Sequence, residues 1–382
     1  MKVIFDATPL LANRTGIAYY IEQMMVEMAK AHPETEFVGF YYNFLGRRDT
    51  SSLPRSSNLK YVNTSIMPSK IVYQLRRWGI EFPIELIALT KADFIIYGNF
   101  LGYPSWRKTP SAPVIHDLTY IDLPQYVSAK LRKDLIRFVP KQIKRGSFAV
   151  TVSEYSKKRM IEEFGNDKEI LVTPIPPVDL AHHSDQECQK QLINVGITKP
   201  YILFIGTIEP RKNIPNLIEA YKQLPQTLRD QYSLVIAGRI GWNCESEEAL
   251  LAQAPKEGYD IKHLGYVSDT LREVLYQKAT VFSTASHYEG FGMPILEAMH
   301  YGVPCAISSI PVFREVAVDN ADYFDQSNPS DIAHHLQTLL TNIDARESFS
   351  RRGKARADSF TWTTVAEAFY QMIKRTLGEQ KQ

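Results

Sequence analysis

Apolar residues along this chain fall into two rhythms. Short continuous runs, each closed by glycine, proline or a polar cluster, occur at residues 3–5, 36–42, 94–97, 113–117, 148–153, 201–205, 234–237, 261–266, 281–286 and 304–308. Runs this short and this apolar predict strands buried on both faces, as in a parallel sheet. Between them, apolar residues recur every three or four positions. Ile17, Ile21, Met24, Met25 and Met28 share a helical face after Gly16, and Leu131, Leu135, Phe138 and Val139 share another within residues 130–145. Val365, Phe369, Met372 and Ile373 line a third within 362–377, and Ser268 is placed to cap a helix carrying Leu271, Val274, Leu275 and Tyr276. Strands alternating with amphipathic helices predict the α/β class. Residues 8–15 and 45–58 read as polar loops. Residues 71–78 interleave aromatic and basic side chains; burial of their apolar face in the core is expected, with a bilayer interface as the other reading.

Length divides this pattern in two, because 382 residues exceed what one core usually serves. Pro174, Pro176 and Pro177 mark a stiff connection, giving domains at 1–180 and 190–360 and a closing helix at 361–382. Lys and Arg number 44 against 42 Asp and Glu, so the net charge of +2 offers no general footprint for nucleic acid. Cys188, Cys244 and Cys305 are odd in number and widely spaced, which supports neither a disulfide framework nor a zinc site. No signal-peptide pattern opens the chain, and no apolar run nears the roughly 20 residues that span a bilayer, so a cytoplasmic protein is expected.

The densest chemistry lies at residues 287–299, His-Tyr-Glu-Gly-Phe-Gly-Met-Pro-Ile-Leu-Glu-Ala-Met. A β-prone run precedes it and good helix formers follow Pro294, so it reads as strand, glycine turn, helix. Gly290 and Gly292, either side of Phe291, permit positive φ and close approach of backbone N–H groups to a ligand. The free N–H groups of the following helix favour phosphate. Glu289 and Glu297 bracket the turn and can each accept paired hydrogen bonds from vicinal hydroxyls of a sugar. A lone Glu is usually a solvated residue; the glycines, the proline and the strand context favour the functional reading here. Farther back, a strand delivers Gly206 to a loop, and Arg211 and Lys212 follow at a helix entrance, where two cations suit a diphosphate. His116 and Asp117 end an apolar run, the end at which open α/β sheets bind ligands. Residues 130–145 also carry a basic face that reads as a solvated helix surface or as an attachment to anionic lipid.

Glu289-Gly-Phe-Gly-Met-Pro-Ile-Leu-Glu297 resembles the E-x7-E motif of family 4 retaining glycosyltransferases, and Gly206-Thr-Ile-Glu-Pro-Arg-Lys-Asn213 resembles that family's diphosphate-binding segment. The resemblance covers nearly the whole chain and is nearest to bacterial mannosyltransferases of O-antigen and exopolysaccharide assembly. It implies two facing Rossmann-like domains, the GT-B fold, with the last helix crossing back to the first domain. It further implies a catalytic set of His116, Arg211, Lys212 and Glu289, and donor contacts from Gly16, Gly206, Arg239, Gly290, Phe291, Gly292 and Glu297. Gly16 reads equally as a plain helix start. Some relatives carry an arginine where Thr207 stands, and Arg239 is the candidate to replace it.

No D-x-D pair occurs, and the two cations can neutralise a leaving diphosphate, so no metal and no cofactor are expected. The function implied is transfer of a hexose, mannose from GDP-mannose before other UDP-, GDP- or dTDP-linked sugars, to a lipid-linked or oligosaccharide acceptor. Peripheral contact with the inner membrane would accompany it. The competing class is a silent sugar-nucleotide-binding subunit of a polysaccharide assembly complex; a redox Rossmann protein is disfavoured because no G-x-G-x-x-G is present.

Overall fold

The computed structural model describes residues 1–11, 15–44, 46, 48–64, 68–165, 167–178 and 181–379. Parts of the loops expected at 8–15 and 45–58 lie outside them. The chain packs as two units, Met1–Ile175 with Thr361–Gln382, and Pro176–Phe360.

The first unit is built on β1 (Lys2–Asp6), β2 (Glu36–Tyr41), β3 (Leu59–Asn63), β4 (Phe94–Tyr97) and β5 (Ser111–Pro113), all parallel in the order β3-β2-β1-β4-β5. Strand β3 was not foreseen, because it follows a polar loop and only Leu59 of its five residues is buried. A further parallel pair, β6 (Ala149–Thr151) and β7 (Ile170–Val172), joins this sheet through a Val114–Val150 bridge and the Ile115 N–H to the Val150 carbonyl, 2.8 Å. The run expected as a strand at 113–117 therefore stops being regular at Pro113, and His116 stands beyond the ladder.

Hydroxyls start several helices, Ser268 capping Asp269–Lys278 as expected. Thr15 caps Gly16–Ala31 through the Ala18 N–H, Ser128 caps Ala129–Arg145 and Ser153 caps Glu154–Phe164. The closing helix, Trp362–Glu379, buries Trp362, Val365, Ala366, Phe369, Tyr370, Met372 and Ile373 in this first unit. Helices of this length are marginal alone, and each large side chain buried contributes about 1.5–3 kcal/mol, so packing holds it. Phe369 meets Phe148 edge-on, and His32 stacks on Tyr370 with its Nε2 at 2.9 Å from Glu367.

Two expectations about helix faces need correction. Residues 71–78 were expected to turn their apolar face into the core, but Ile71 is exposed and Trp78 is 70 % exposed; the helix Ser69–Arg77 buries Val72 and Arg76 instead. Leu131 was grouped with Leu135, Phe138 and Val139 but is 45 % exposed, because the buried arc of its helix runs through Asp134, Gln142 and Ile143.

The second unit holds β8 (Tyr201–Ile205), β9 (Ser233–Ala237), β10 (Ile261–Gly265), β11 (Val281–Thr284), β12 (Cys305–Ser308) and β13 (Asp322–Phe324), parallel in the order β10-β9-β8-β11-β12-β13. Chain order reverses between β8 and β11 here, and between β1 and β4 in the first unit. In open parallel sheets the loops leaving such a reversal diverge and open a crevice. Cys188, Cys244 and Cys305 are buried free thiols, and among the described residues no helix is long and apolar enough to cross a membrane.

Candidate functional site

At the reversal of the second unit, two loops meet. One leaves β8 through Gly206 and passes a short turn, Pro210–Lys212, before Asn213, at φ 55, starts the helix Ile214–Gln223. The other leaves β11 through Ser286 to Glu289 and ends at Gly292, whose φ of 109 caps the helix Met293–His300. A side chain at Gly292 would be strained by that φ and would press on Phe313, its Cβ at 2.9 Å. The His287 N–H donates to the Arg211 carbonyl at 2.8 Å and ties the loops together.

Charge concentrates at this junction. Glu289, 9 % exposed, accepts from the Lys212 ammonium and, at 3.0 Å, from the Ser286 hydroxyl on one carboxylate oxygen; Arg211 Nη1 donates to the other at 2.6 Å. Arg211 also donates to the Tyr288 carbonyl and, through Nε, to Glu209 at 2.8 Å. Burial would raise the Glu289 pKa, but Arg211 and Lys212 overcome it and hold the carboxyl at about 2. Burial draws the Lys212 ammonium below its ordinary range against the pull of Glu289. With two cations on it, Glu289 is a carboxylate at neutral pH. A buried, cross-linked pair of cations is a preorganised place for charge that builds on a departing phosphate.

Glycines press the neighbouring loops onto this cluster. Gly206, at φ 155, holds the space beside the Lys212 ammonium, where a Cβ would stand 3.9 Å from Nζ. Gly238, just after β9, would drive a Cβ to 1.8 Å from the Gly206 carbonyl oxygen, so no other residue fits there. Gly238 escaped the sequence reading because its partner lies on another strand; the Ala-Gly-Arg-Ile-Gly run at 237–241 was the available signal. Ser286 was also missed, since a serine at a strand end carries no distinctive spacing. Arg239 has an exposed side chain, and its carbonyl accepts the Ile208 N–H at 2.9 Å, so its main chain runs beside the same loop.

Glu297 lies one turn deeper, 3 % exposed, with Arg272 Nη1 of the helix Asp269–Lys278 at 3.7 Å. Its pKa is raised by burial, which Arg272 offsets in part. The buried Tyr276 phenol adjoins the same carboxyl, its hydroxyl short of a well-formed hydrogen bond. Phe291, expected among the donor contacts through the main chain of 290–292, has its ring buried edge-on against Phe360. The structure thus gathers Gly206, Arg211, Lys212, Glu289, Gly290 and Gly292 around one junction, with Arg239 alongside and Glu297 behind.

His116 and Gly16 belong to the first unit. The His116 Nε2 bonds the Gly98 carbonyl at 2.8 Å, just past β4, and its ring packs edge-on against Tyr20 and tilted against Phe100. Bonding to a carbonyl requires the proton on Nε2, and burial lowers the pKa, so His116 is neutral with Nδ1 as an acceptor. Gly16 is the exposed first residue of its helix. Among the described residues, no group of three or more His, Cys, Asp and Glu could hold a metal ion.

Comparison with known proteins adds a family to this geometry. The family model described as Glycosyl transferases group 1 matches residues 185–356, which include both loops. The chain is 30% identical over 379 residues to O-antigen chain mannosyltransferase B of Escherichia coli, across 95% of this chain and 96% of that protein. It is 28% identical over 224 residues, 57% of each chain, to the O-antigen chain mannosyltransferase RfbU of Salmonella typhimurium. Among solved structures it is similar to a sucrose-phosphate synthase from Thermosynechococcus elongatus, with TM-score 0.74, 15% identity and 99% of both chains covered. It is also similar to HepE of Anabaena in complex with UDP and glucose, with TM-score 0.72, 16% identity and coverage of 98% and 100%. At such identities the structural likeness speaks for the fold.

Proposed function

The chain belongs to the GT-B glycosyltransferases, as a relative of bacterial O-antigen mannosyltransferases, and from that membership we propose that it moves mannose from GDP-mannose to a lipid-linked or oligosaccharide acceptor in bacterial surface polysaccharide synthesis. The observation that carries the chemistry is the buried Arg211–Lys212–Glu289 cluster at the sheet reversal. The choice of mannose rests on the near full-length likeness to an O-antigen chain mannosyltransferase.

In this reading Lys212 and Arg211 stabilise the diphosphate as the bond from the sugar's anomeric carbon to phosphate oxygen breaks. The main chain of residues 290–292 and the start of the next helix offer N–H groups to the phosphates, with Gly206 keeping space for them and Arg239 adding an exposed cation. Glu297 accepts from the ribose hydroxyls, and Glu289 from the donor sugar through the carboxylate oxygen that Arg211 holds. His116 accepts a sugar hydroxyl at Nδ1, and Gly16 lies near the acceptor. The acceptor oxygen bonds the anomeric carbon on the face the phosphate leaves, and its proton passes to a phosphate oxygen, so configuration is retained without a separate base.

Incubating the protein with a panel of donors and a lipid-linked acceptor, and weighing the products by mass spectrometry, tests this. A product one hexose heavier from GDP-mannose alone is expected. Transfer from UDP-sugars only would overturn the donor, and nucleotide binding without any transfer would favour a silent subunit.

A further inference from the structure

The cation pair has a second acidic neighbour that the proposed reaction leaves without a task. Glu209 stands between Gly206 and Arg211 on the loop leaving β8, half-buried, with its carboxylate on the Arg211 guanidinium. A carboxylate beside a place for phosphates repels them, so it is out of keeping with the site unless it serves the cations. Glu289 serves both of them. Glu209 bonds Arg211, 2.8 Å from Nε.

Two anchors on one planar group fix its plane. Arg211 Nη1 donates to Glu289 at 2.6 Å and to the Tyr288 carbonyl at 3.1 Å, while Nε, a different corner of the same fork, donates to Glu209. Held at Nη1 alone, the guanidinium can swing about that contact; held at both, the direction of Nη2 is set as well. The Glu209 carbonyl also accepts the Lys212 N–H at 2.8 Å, so the residue that grips Arg211 starts the turn that carries both cations.

The next loop braces Glu209. Beyond β8 and β9 the two loops stay side by side through a parallel bridge between Ile208 and Ile240. The Ile208 N–H donates to the Arg239 carbonyl at 2.9 Å, and the Ile208 carbonyl accepts from the Gly241 N–H at 2.8 Å and the Cys244 thiol at 3.0 Å. A Cβ on Gly241 would stand 2.5 Å from the Ile208 carbonyl oxygen and 3.1 Å from Glu209 Cγ. A bare glycine there lets the second loop lie against the stem of Glu209.

We propose, on the reading of Arg211 as a diphosphate cation, that Glu209 is a positioning residue: braced by the loop after β9, it aims the Arg211 guanidinium at the leaving diphosphate.

A double-mutant cycle tests this, with kcat and KM measured on the donor that the panel above identifies. Glu209→Ala should lower kcat by about ten- to hundredfold, the worth of a charge-assisted hydrogen bond. KM for the donor should change by less than about threefold, because charge builds on the diphosphate only as its bond to the sugar breaks. Glu209→Gln keeps an oxygen for Nε and should recover most of the loss, whereas Glu209→Asp keeps the charge without the reach and should stay slow. The double variant Glu209→Ala with Arg211→Ala should be no slower than Arg211→Ala. Full turnover in Glu209→Ala and Glu209→Asp, or losses that multiply in the double variant, would overturn the proposal and leave the cation reading standing. Wild-type turnover in Arg211→Ala would overturn that reading and the proposal with it.

Discussion

Two sheets of the same construction end in reversals of different character. In the second unit the loops leaving β8 and β11 carry Arg211, Lys212 and Glu289, ions buried against one another. In the first unit the loop after β4 and the segment after β5 bring a neutral histidine against Tyr20, Phe100 and a backbone carbonyl. The crevice comes from topology in both, and the residues at the strand ends decide what it can hold. One end presents ions buried against one another, the other a neutral ring held by a backbone carbonyl and aromatic neighbours.

The sharpest way to break this contrast is to remove a cation from the charged side. Lys212→Ala should lower turnover by about 10²–10³ and destabilise the second unit by roughly 3–5 kcal/mol, because the buried Glu289 loses one of its two cations. Donor consumption and thermal unfolding measure the two effects. Adding Glu289→Gln should recover stability without recovering turnover; recovery of both would mean the pair is structural only.

Acid should unfold the two units differently. Glu289 sits at about 2 in the folded chain against an ordinary 4.5, so the native state binds fewer protons than the unfolded state across that interval. The stabilisation, roughly 3 kcal/mol, is complete above pH 4.5 and disappears as pH falls toward 2. Acid titration followed by circular dichroism should lose this component in Glu289→Gln. A matching acid transition in both proteins would contradict the assignment.

Smaller effects sharpen the contrast. His116→Ala should cost about tenfold in turnover, the worth of one hydrogen bond, and leave GDP affinity unchanged. Arg239→Ala should weaken GDP by only a few-fold, since the side chain is solvated and a single exposed charge is worth little.

The charged side was the more legible in sequence. Residues 206–213 and 289–297 are local, so spacing and glycine chemistry announce a strand, a turn and a helix together. Gly238 was not legible, since its constraint is a clash with Gly206 across the sheet. Phe291 sits inside the turn but packs on Phe360, many residues away, and no local pattern reveals that. Residues 71–78 went wrong for a related reason. A short segment alternating apolar and basic residues satisfies both a core-facing and an interface-facing helix, and only the placement of its neighbours decides, here leaving Trp78 in solvent. Strand β3 shows the same limit, because a short edge strand that buries little of its length looks like the loop before it.

Calorimetric titration of GDP into the wild type, Lys212→Gln and His116→Ala asks the central question most directly, whether the second unit's cation pair is what holds the diphosphate. Affinity at least about tenfold weaker in Lys212→Gln, the share expected of one charge-assisted contact, and unchanged in His116→Ala is the predicted result. Wild-type affinity in Lys212→Gln would contradict it.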